Sequence, residues 1–510
     1  MLSHAAMPKS SLTTLPVQHV GAVREQARLH AVVRAAALSI SLATTAPSAA
    51  QEPALIPVSS VPSKNDMLAS SSNQPSLGLA PEPRKSYAIP ALEIVGFEAA
   101  LNLFDRTFLG SDYDSNLSTI HRNRSRGWVV DNDPYSINQL GHPYQGSVYH
   151  GFARSAGLNY WESLGYTFAG SALWEIAGES TPPSKNDQVA SGIAGTFLGE
   201  SLFRMAHLVL ENGRGSRFWR ELGAAAISPS TGFNRLVYGK RFDGLFASHN
   251  PAYYSRLQLG VSGTTQNNPG TSTKLKRTEG IVDFSMDYGL PGKSGYTYDR
   301  PFDYFSFQAT GSTANVVESL STRGLLLGTA YEAGERYRGI WGLYGSYDYH
   351  SPQVFRVSST ALSLGTTGQA WLSRAIALQG SALLGAGYAA VSTLHGTQEN
   401  DYHYGVAPQA LVALRLIFGD TASLDATARE YFVSRVGSSG AGRGGHDNIA
   451  RADVSLTWRI HKQHGIAVRY VWTRRDATYE DLADRAQQRG TFGIFYTLLG
   501  HDRFGAVDWQ

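Results

Sequence analysis

From Tyr253 to the C-terminus apolar and polar residues alternate with period two. In "IVDFSMDY", Val282, Phe284, Met286 and Tyr288 share one parity, and Asp283, Ser285 and Asp287 the other. In "ADVSLTWRI", Val454, Leu456, Trp458 and Ile460 oppose Asp453, Ser455, Thr457 and Arg459. "GIAVRYVW" and "TFGIFYTLL" repeat the pattern. Successive strand side chains point to opposite faces, so each segment is a strand with one apolar and one wet face. About twelve such segments start near residues 253, 280, 301, 318, 337, 354, 375, 405, 421, 449, 464 and 490. An even number lets a closed barrel return the chain to the side where it entered.

Connection lengths sharpen this. Long loops (about 391–404, "GSSGAGRGGHDN" and "DATYEDLADRAQQ") alternate with short turns ("FGDTAS", "HKQHG"). Outer-membrane barrels have this asymmetry, with long loops outside and short turns in the periplasm. The connection near 289–301 falls on the short side but is not short. Ala375 to Gln398 carries no charge over 24 residues, the length of a membrane helix. Its Gln and Gly content and its period-two reading favour a strand and loop. The chain also runs past its last clear strand, near Leu499. Either a final aromatic segment (Phe504, Trp509) completes the wall, or the strand number differs by one.

Composition agrees with a strand-rich chain. Charged residues are 17%, aromatics 11%, and Gly 53 of 510. With no cysteine, disulfides and thiolate metal sites are excluded. The compartment is read from the N-terminus. Arg28 and Arg34 precede a mainly apolar run from Ala35, which closes on Ser48-Ala49-Ala50, the pattern of a secretory signal peptide cleaved after Ala50. Residues 1–50 hold four Lys/Arg and one Asp/Glu, so the formal charge of +3 vanishes on cleavage. A nucleic-acid partner gains no support. Residues 51–89 are rich in Pro, Ser and Ala and read as a disordered linker.

Residues 90–235 have helical period. "ALEIVGFEAALNLFDR", "GSVYHGFARSAG", "WESLGYTFAGSALWEIAGE" and "SKNDQVASGIAGTFLGESLFRMAHLVLENG" read as helices. In the last, Ser184 caps the start and Gly213 ends it. Ala190, Ala194, Gly195 and Gly199, and Gly165, Ala169 and Gly170, are small residues that let helix backbones approach closely. Acids interrupt apolar surfaces at Glu162, Glu175, Glu179, Asp187 and Glu200. Such a unit is expected to plug the barrel lumen or underlie its periplasmic mouth, where ion pairs stay solvated.

The candidate site is a polar cluster of His142, Ser147, His150, Arg154, Glu162, Glu175, Glu200 and Arg204. A His with a Ser and a carboxylate is the composition of acyl transfer. The competing reading is a hydrogen-bonded network that locks helices together, with His150/Arg154 and Glu200/Arg204 as i,i+4 pairs. His142-Pro143 reads as a turn entering a helix. Asp131-Asn132-Asp133 is a D-x-D that could hold a divalent cation, although Asx turns before Pro134 have the same composition. No H-E-x-x-H, G-x-S-x-G or Walker loop is present, and no cofactor is expected.

The strings "WVVDNDPYSINQLGHPYQGSVYHGFARSAGLNYWES" and "GSALWEIAGESTPPSKNDQVASGIAGTFLGESLFR" resemble domain-of-unknown-function family 3943, over about residues 90–235. The resemblance implies an exported bacterial protein with a strand-rich C-terminal part, and carries no catalytic residues. The expected architecture is mainly β: a signal peptide (1–50), a linker (51–89), a helical unit (90–235), and an outer-membrane antiparallel β-barrel of about twelve strands (236–510). The expected function is transport, channel-like or structural, in contact with outer-membrane lipid and with a small molecule or lipid as ligand. The alternatives are an outer-membrane enzyme acting on lipid or envelope glycan, and a soluble periplasmic binding protein.

Overall fold

The computed structural model describes residues 84–509, apart from 109–110, 132, 212–214, 269–276, 393–401, 435–444, 480–483 and 501. The expected signal peptide, most of the linker, Asn132, Gly213 and the centres of the long loops lie outside the described residues.

The described residues hold twelve strands. These are β1 (Tyr253–Asn268), β2 (Thr278–Tyr288), β3 (Phe305–Ser312), β4 (Ser319–Ala333), β5 (Tyr337–His350) and β6 (Val357–Ser373). There follow β7 (Ile376–Ser392), β8 (Tyr402–Phe418), β9 (Ala422–Ser434), β10 (Gly445–His461), β11 (His464–Tyr479) and β12 (Arg485–Leu499). Each pairs with its sequence neighbours, and β1 closes antiparallel on β12, with Val261 opposite Ile494. The barrel is closed and wholly antiparallel. The uncharged stretch from Ala375 is strand β7, as its period-two pattern indicates.

The wall has two chemistries. Ion pairs between strands that are not neighbours identify the inner face: Arg256 on β1 with Asp425 on β9 at 3.0 Å, Arg469 on β11 with Asp283 on β2 at 3.0 Å, and Arg415 on β8 with Asp287 on β2 at 3.0 Å. Residues of the opposite parity face out. On the open part of that face Leu384 is 70% exposed, Leu364 62% and Trp458 58%, with Val412, Leu414, Leu456, Ile460, Ile466 and Ile494 also exposed.

Both ends of the lumen are covered from within. After β12 the chain does not add to the wall. Phe504 and Val507 tuck inside against Tyr254, Leu290, Trp371 and Ile417. Gln369 and Trp371 donate to the Val507 carbonyl at 2.6 and 3.2 Å, and Gln379 donates to that of Gly505 at 2.8 Å. Neither expectation for the tail holds: the wall closes with twelve strands, and the aromatic tail is a lid. At the other end the 351–356 connection folds inward, placing Val354 and Phe355 among Val357, Ala389, Val391 and Tyr431. Between the lids a cavity of about 110 Å³ is lined by Arg256, Asp287, Arg323, Arg415, Asp425 and Arg429, among others.

Seven α-helices longer than a single turn precede the barrel among the described residues. They are α1 (Ala88–Phe108), α2 (Leu117–Ser125), α3 (His142–Ser155), α4 (Tyr160–Leu173), α5 (Gly195–Glu211), α6 (Arg217–Ile227) and α7 (Pro229–Tyr238). The expected lumen plug is not observed, because this unit packs on the outer face of the wall. Phe197 meets Gly345, Ser201 Oγ lies 2.6 Å from Thr322 Oγ1, and Leu202 and Met205 join Met286 and Phe307 in one apolar cluster. Gly345, Thr322, Met286 and Phe307 all have the outward parity. The physical reason is room: side-chain pairs and the two lids fill the lumen, while aromatic residues on the outer face of β2–β5 offer the helices an apolar bed. An apolar pocket of about 280 Å³ remains between α5 and the β1–β2–β12 wall.

Candidate functional site

Two buried polar clusters lie inside the helical unit. Close packing makes both possible. A β-carbon on Gly195 would fall 2.7 Å from the Gly146 α-carbon, so only glycine lets α3 and α5 touch there. The small-residue expectation holds at this crossing. It does not hold at Gly165, where a β-carbon would meet nothing within 4 Å.

The first cluster centres on Glu200 of α5. Its Oε2 accepts from Arg154 Nε at 2.7 Å and from His150 Nε2 at 3.0 Å. Its Oε1 accepts from Arg204 Nε at 2.8 Å and from Arg154 Nη2 at 3.2 Å. Arg204 reaches on to Asp303 at 2.9 Å and to the Pro301 carbonyl at 2.7 Å, both in the connection before β3. Burial alone would raise the Glu200 carboxyl, but the Arg154 and Arg204 guanidiniums hold it well below the usual carboxylate range. Burial lowers His150 despite the carboxylate beside it, so the ring is neutral and donates through Nε2. This cluster is a compensated network that fastens α3 and α5 together and ties both to the barrel.

The second cluster gathers His142, Glu175, Asp187 and Asp131. His142-Pro143 is not itself a turn but the first residues of α3. A π turn (Ile137–Gly141) runs straight into α3, and His142 itself is helical, with φ −61° and ψ −44°. Its Nδ1 bonds the Ser191 hydroxyl at 3.2 Å, and its Nε2 lies 3.8 Å from Asp187 Oδ2. Glu175 sits in a second π turn (Trp174–Gly178), and Asp187 immediately precedes a third (Gln188–Ala194). Glu175 Oε2 accepts from the Ser184 backbone N–H at 2.8 Å. Asp187 Oδ1 accepts from Asn186 at 3.1 Å. Asp131 Oδ1 accepts from Asn138 at 2.8 Å and Asn186 at 2.6 Å, and those amides also bond the outward-facing Tyr402 and Tyr404. Burial pushes Glu175 up to about 9, with Glu179 adding to it. Burial, then Asp131 and Glu175, raise Asp187 well above its ordinary value. Burial takes His142 down to about 4. Donor atoms of His142, Glu175 and Asp187 lie within 4.8 Å of one another, close enough to hold a metal ion after small side-chain movements.

The eight expected site residues therefore divide. His150, Arg154, Glu200 and Arg204 share the first cluster; His142 and Glu175 belong to the second. Glu162 stands apart at the surface, capping α4 and pairing with Lys85 at 2.7 Å. Ser147 donates to the Tyr144 carbonyl of its own helix at 2.6 Å. Of the D-x-D pair, Asp131 joins the second cluster, and the Asp133 carbonyl accepts from Tyr402 at 2.8 Å. Ser191, His142 and Asp187 have the composition of an acyl-transfer triad. Yet the His–Asp gap is too long for a hydrogen bond, and all three are buried from any acyl substrate. Sequence reasoning missed Asp187 as a site residue because its place three residues after Ser184 reads as capping, and its N–H does donate to Ser184 Oγ at 3.3 Å. It missed Ser191 and Asp303 because nothing local marks them.

No curated protein matches the chain. Solved barrels align at low likeness. The outer membrane channel DcaP of Acinetobacter baumannii is 10% identical over 48% of this chain and 96% of its own, with a TM-score of 0.24. The KdgM porin is 9% identical over 48% and 98%, with a TM-score of 0.21. OmpT, an outer membrane protein of Vibrio cholerae, is 9% identical over 48% and 96%, with a TM-score of 0.19. The barrel rests on its own closed strand order. Residues 127–230, which contain both polar clusters except Asp303 and the Pro301 carbonyl, match the family described as Domain of unknown function (DUF3943).

Proposed function

We propose that the chain is an outer-membrane barrel of the channel or transport kind, held closed and carrying its helical unit on one flank. One observation carries this reading: a wall whose outward face is exposed and apolar surrounds a lumen lined with charge. Soluble monomers rarely expose contiguous apolar patches beyond a few hundred Å², whereas a bilayer accommodates such a belt. Side chains such as Leu384 and Trp458 give the uncovered wall this character. The lumen is polar enough to carry water and solutes, and the tail that shuts one end is held by three side-chain donors and a small apolar cluster. Export through a leader cleaved after Ala50 and contact with outer-membrane lipid belong to the same reading.

The experiment compares the full chain with one ending at Gly500 in planar bilayers, after fractionation and heat-modifiable gel mobility have located a folded barrel. The full chain is expected to stay closed and the shortened chain to conduct. Silence from both would favour a second reading, a barrel that only anchors the helical unit, to which the cross-lumen ion pairs lend support. Recovery in the soluble periplasmic fraction would refute both.

A further inference from the structure

We propose that His142, Glu175 and Asp187 form a binding site for one first-row divalent metal ion, of the Mn²⁺, Fe²⁺ or Zn²⁺ class. The proposal stands whether or not the barrel conducts.

The first support is how each side chain is held. Each of the three has one polar atom held by an outer partner and another left over, and one donor atom from each lies within 4.8 Å of the others. Ser191 holds His142 Nδ1, leaving Nε2. Asn186 holds Asp187 Oδ1, leaving Oδ2, which faces that Nε2. The Ser184 N–H holds Glu175 Oε2, leaving Oε1. Among the described residues Glu175 Oε1 has no hydrogen-bond partner, although the residue is only 1% exposed. Outer partners that fix the ring and the carboxylates while freeing one donor apiece are what metal ligation requires.

The second support is charge. No Lys or Arg among the described residues is seen to pair with Asp131, Glu175 or Asp187, and the charges acting on Glu175 and Asp187 come from other acids. The Glu200 cluster, in the same helical unit, is the opposite case, with two guanidiniums on one carboxylate. Buried carboxylates without a cation are costly, and a divalent ion is the group that would compensate them.

The third support is local backbone. π turns are rare and recur at functional sites. Three occur in this unit, and each ligand lies inside one or directly beside one. Their extra residue re-aims side chains that a regular α-helix would place elsewhere.

The donor set selects the ion. One imidazole nitrogen with carboxylate oxygens suits first-row metals; Ca²⁺ and Mg²⁺ prefer oxygen alone. Metal–ligand bonds of about 2.1 Å set donors roughly 3–4 Å apart, so closing from the observed 4.8 Å limit asks for small side-chain movements. Asp131 stands beside Asp187 as a further carboxylate. The ion would clamp the start of α3, the end of α4 and the entry to α5.

The test uses the full chain, refolded in detergent, stripped with a chelator and dialysed against Mn²⁺ or Zn²⁺. The expected result is a single ion per chain by elemental mass spectrometry, with greater protease resistance of the helical unit. Ser191→Ala should weaken binding about 10- to 100-fold, as outer-partner changes do. His142→Ala should abolish it, with barrel mobility checking the fold. Glu175→Gln guards against misfolding as an explanation: it removes a stranded acid, so the metal-free unit should resist protease at least as well as wild type while losing the ion. Wild type without stoichiometric metal, Glu175→Gln that still binds like wild type, or Ca²⁺ held as tightly as Mn²⁺ would each overturn the proposal.

Discussion

Glu200→Gln offers the sharpest test of how the helical unit is held. The change keeps shape and removes one buried charge. Arg204 still has Asp303 at 2.9 Å and the Pro301 carbonyl at 2.7 Å. Arg154 is the group left stranded: it retains the Leu158 carbonyl and the Phe203 ring, 4.6 Å from its guanidinium, but no carboxylate. Removing one partner of a buried pair costs about 3–5 kcal/mol. Removing the stranded guanidinium as well, in Arg154→Met/Glu200→Gln, leaves mainly imperfect neutral hydrogen bonds, at roughly 1–3 kcal/mol. The double variant should therefore be more stable than Glu200→Gln alone, a non-additivity expected of contacting residues. Amide hydrogen exchange over Val148–Arg154 reads the unit, and heat-modifiable mobility reads the barrel separately. Unchanged exchange in Glu200→Gln, or faster exchange in the double variant than in the single, would refute a charge-compensated role for Glu200.

Three further outcomes follow from the same structure. Burial raises Glu98 on α1 from 4.5 to about 8. The fold therefore holds a proton that the unfolded chain releases, and this contribution is complete below pH 4.5 and lost as pH climbs through about 8. At about 1.4 kcal/mol per pKa unit the loss is on the order of a few kcal/mol; exchange of α1 amides should quicken across that window, and Glu98→Gln should flatten the rise. Gly195→Val should cost more than the usual 1–3 kcal/mol of overpacking, because its β-carbon would press on the Gly146 backbone rather than on a movable side chain; protease sensitivity confined to the helical unit is the sign to look for. Leu414→Arg, on the exposed outer face of β8, should destabilise the barrel by about 2–4 kcal/mol in lipid if it lies near the bilayer midplane, measured by denaturant titration in vesicles; no effect there would argue against a lipid-facing wall.

The sequence by itself determined the wall. Period two sets which residue faces which way, and that signal is local, so the twelve strands and their alternating chemistry were legible from "IVDFSMDY" to "TFGIFYTLL". Helix existence was equally local, as was the Ser184 cap. Only the tertiary structure decided the rest. Sequence showed an apolar outward face on β2–β5 but not what covers it, because lipid and helix ask the same of a side chain. It showed acids on helices, but not that Glu200 meets two arginines while, among the described residues, Glu175 and Asp187 meet none. Those partners come from segments tens of residues apart, or from a barrel connection such as the one bearing Asp303. It placed Phe504 and Trp509 near the C-terminus without telling wall from lid, since an inward-turned tail and a last strand are both aromatic and short. The π turns were the least legible feature: they shift side chains by one residue within helices whose periodicity looks regular, and so bring His142, Glu175 and Asp187 to one point.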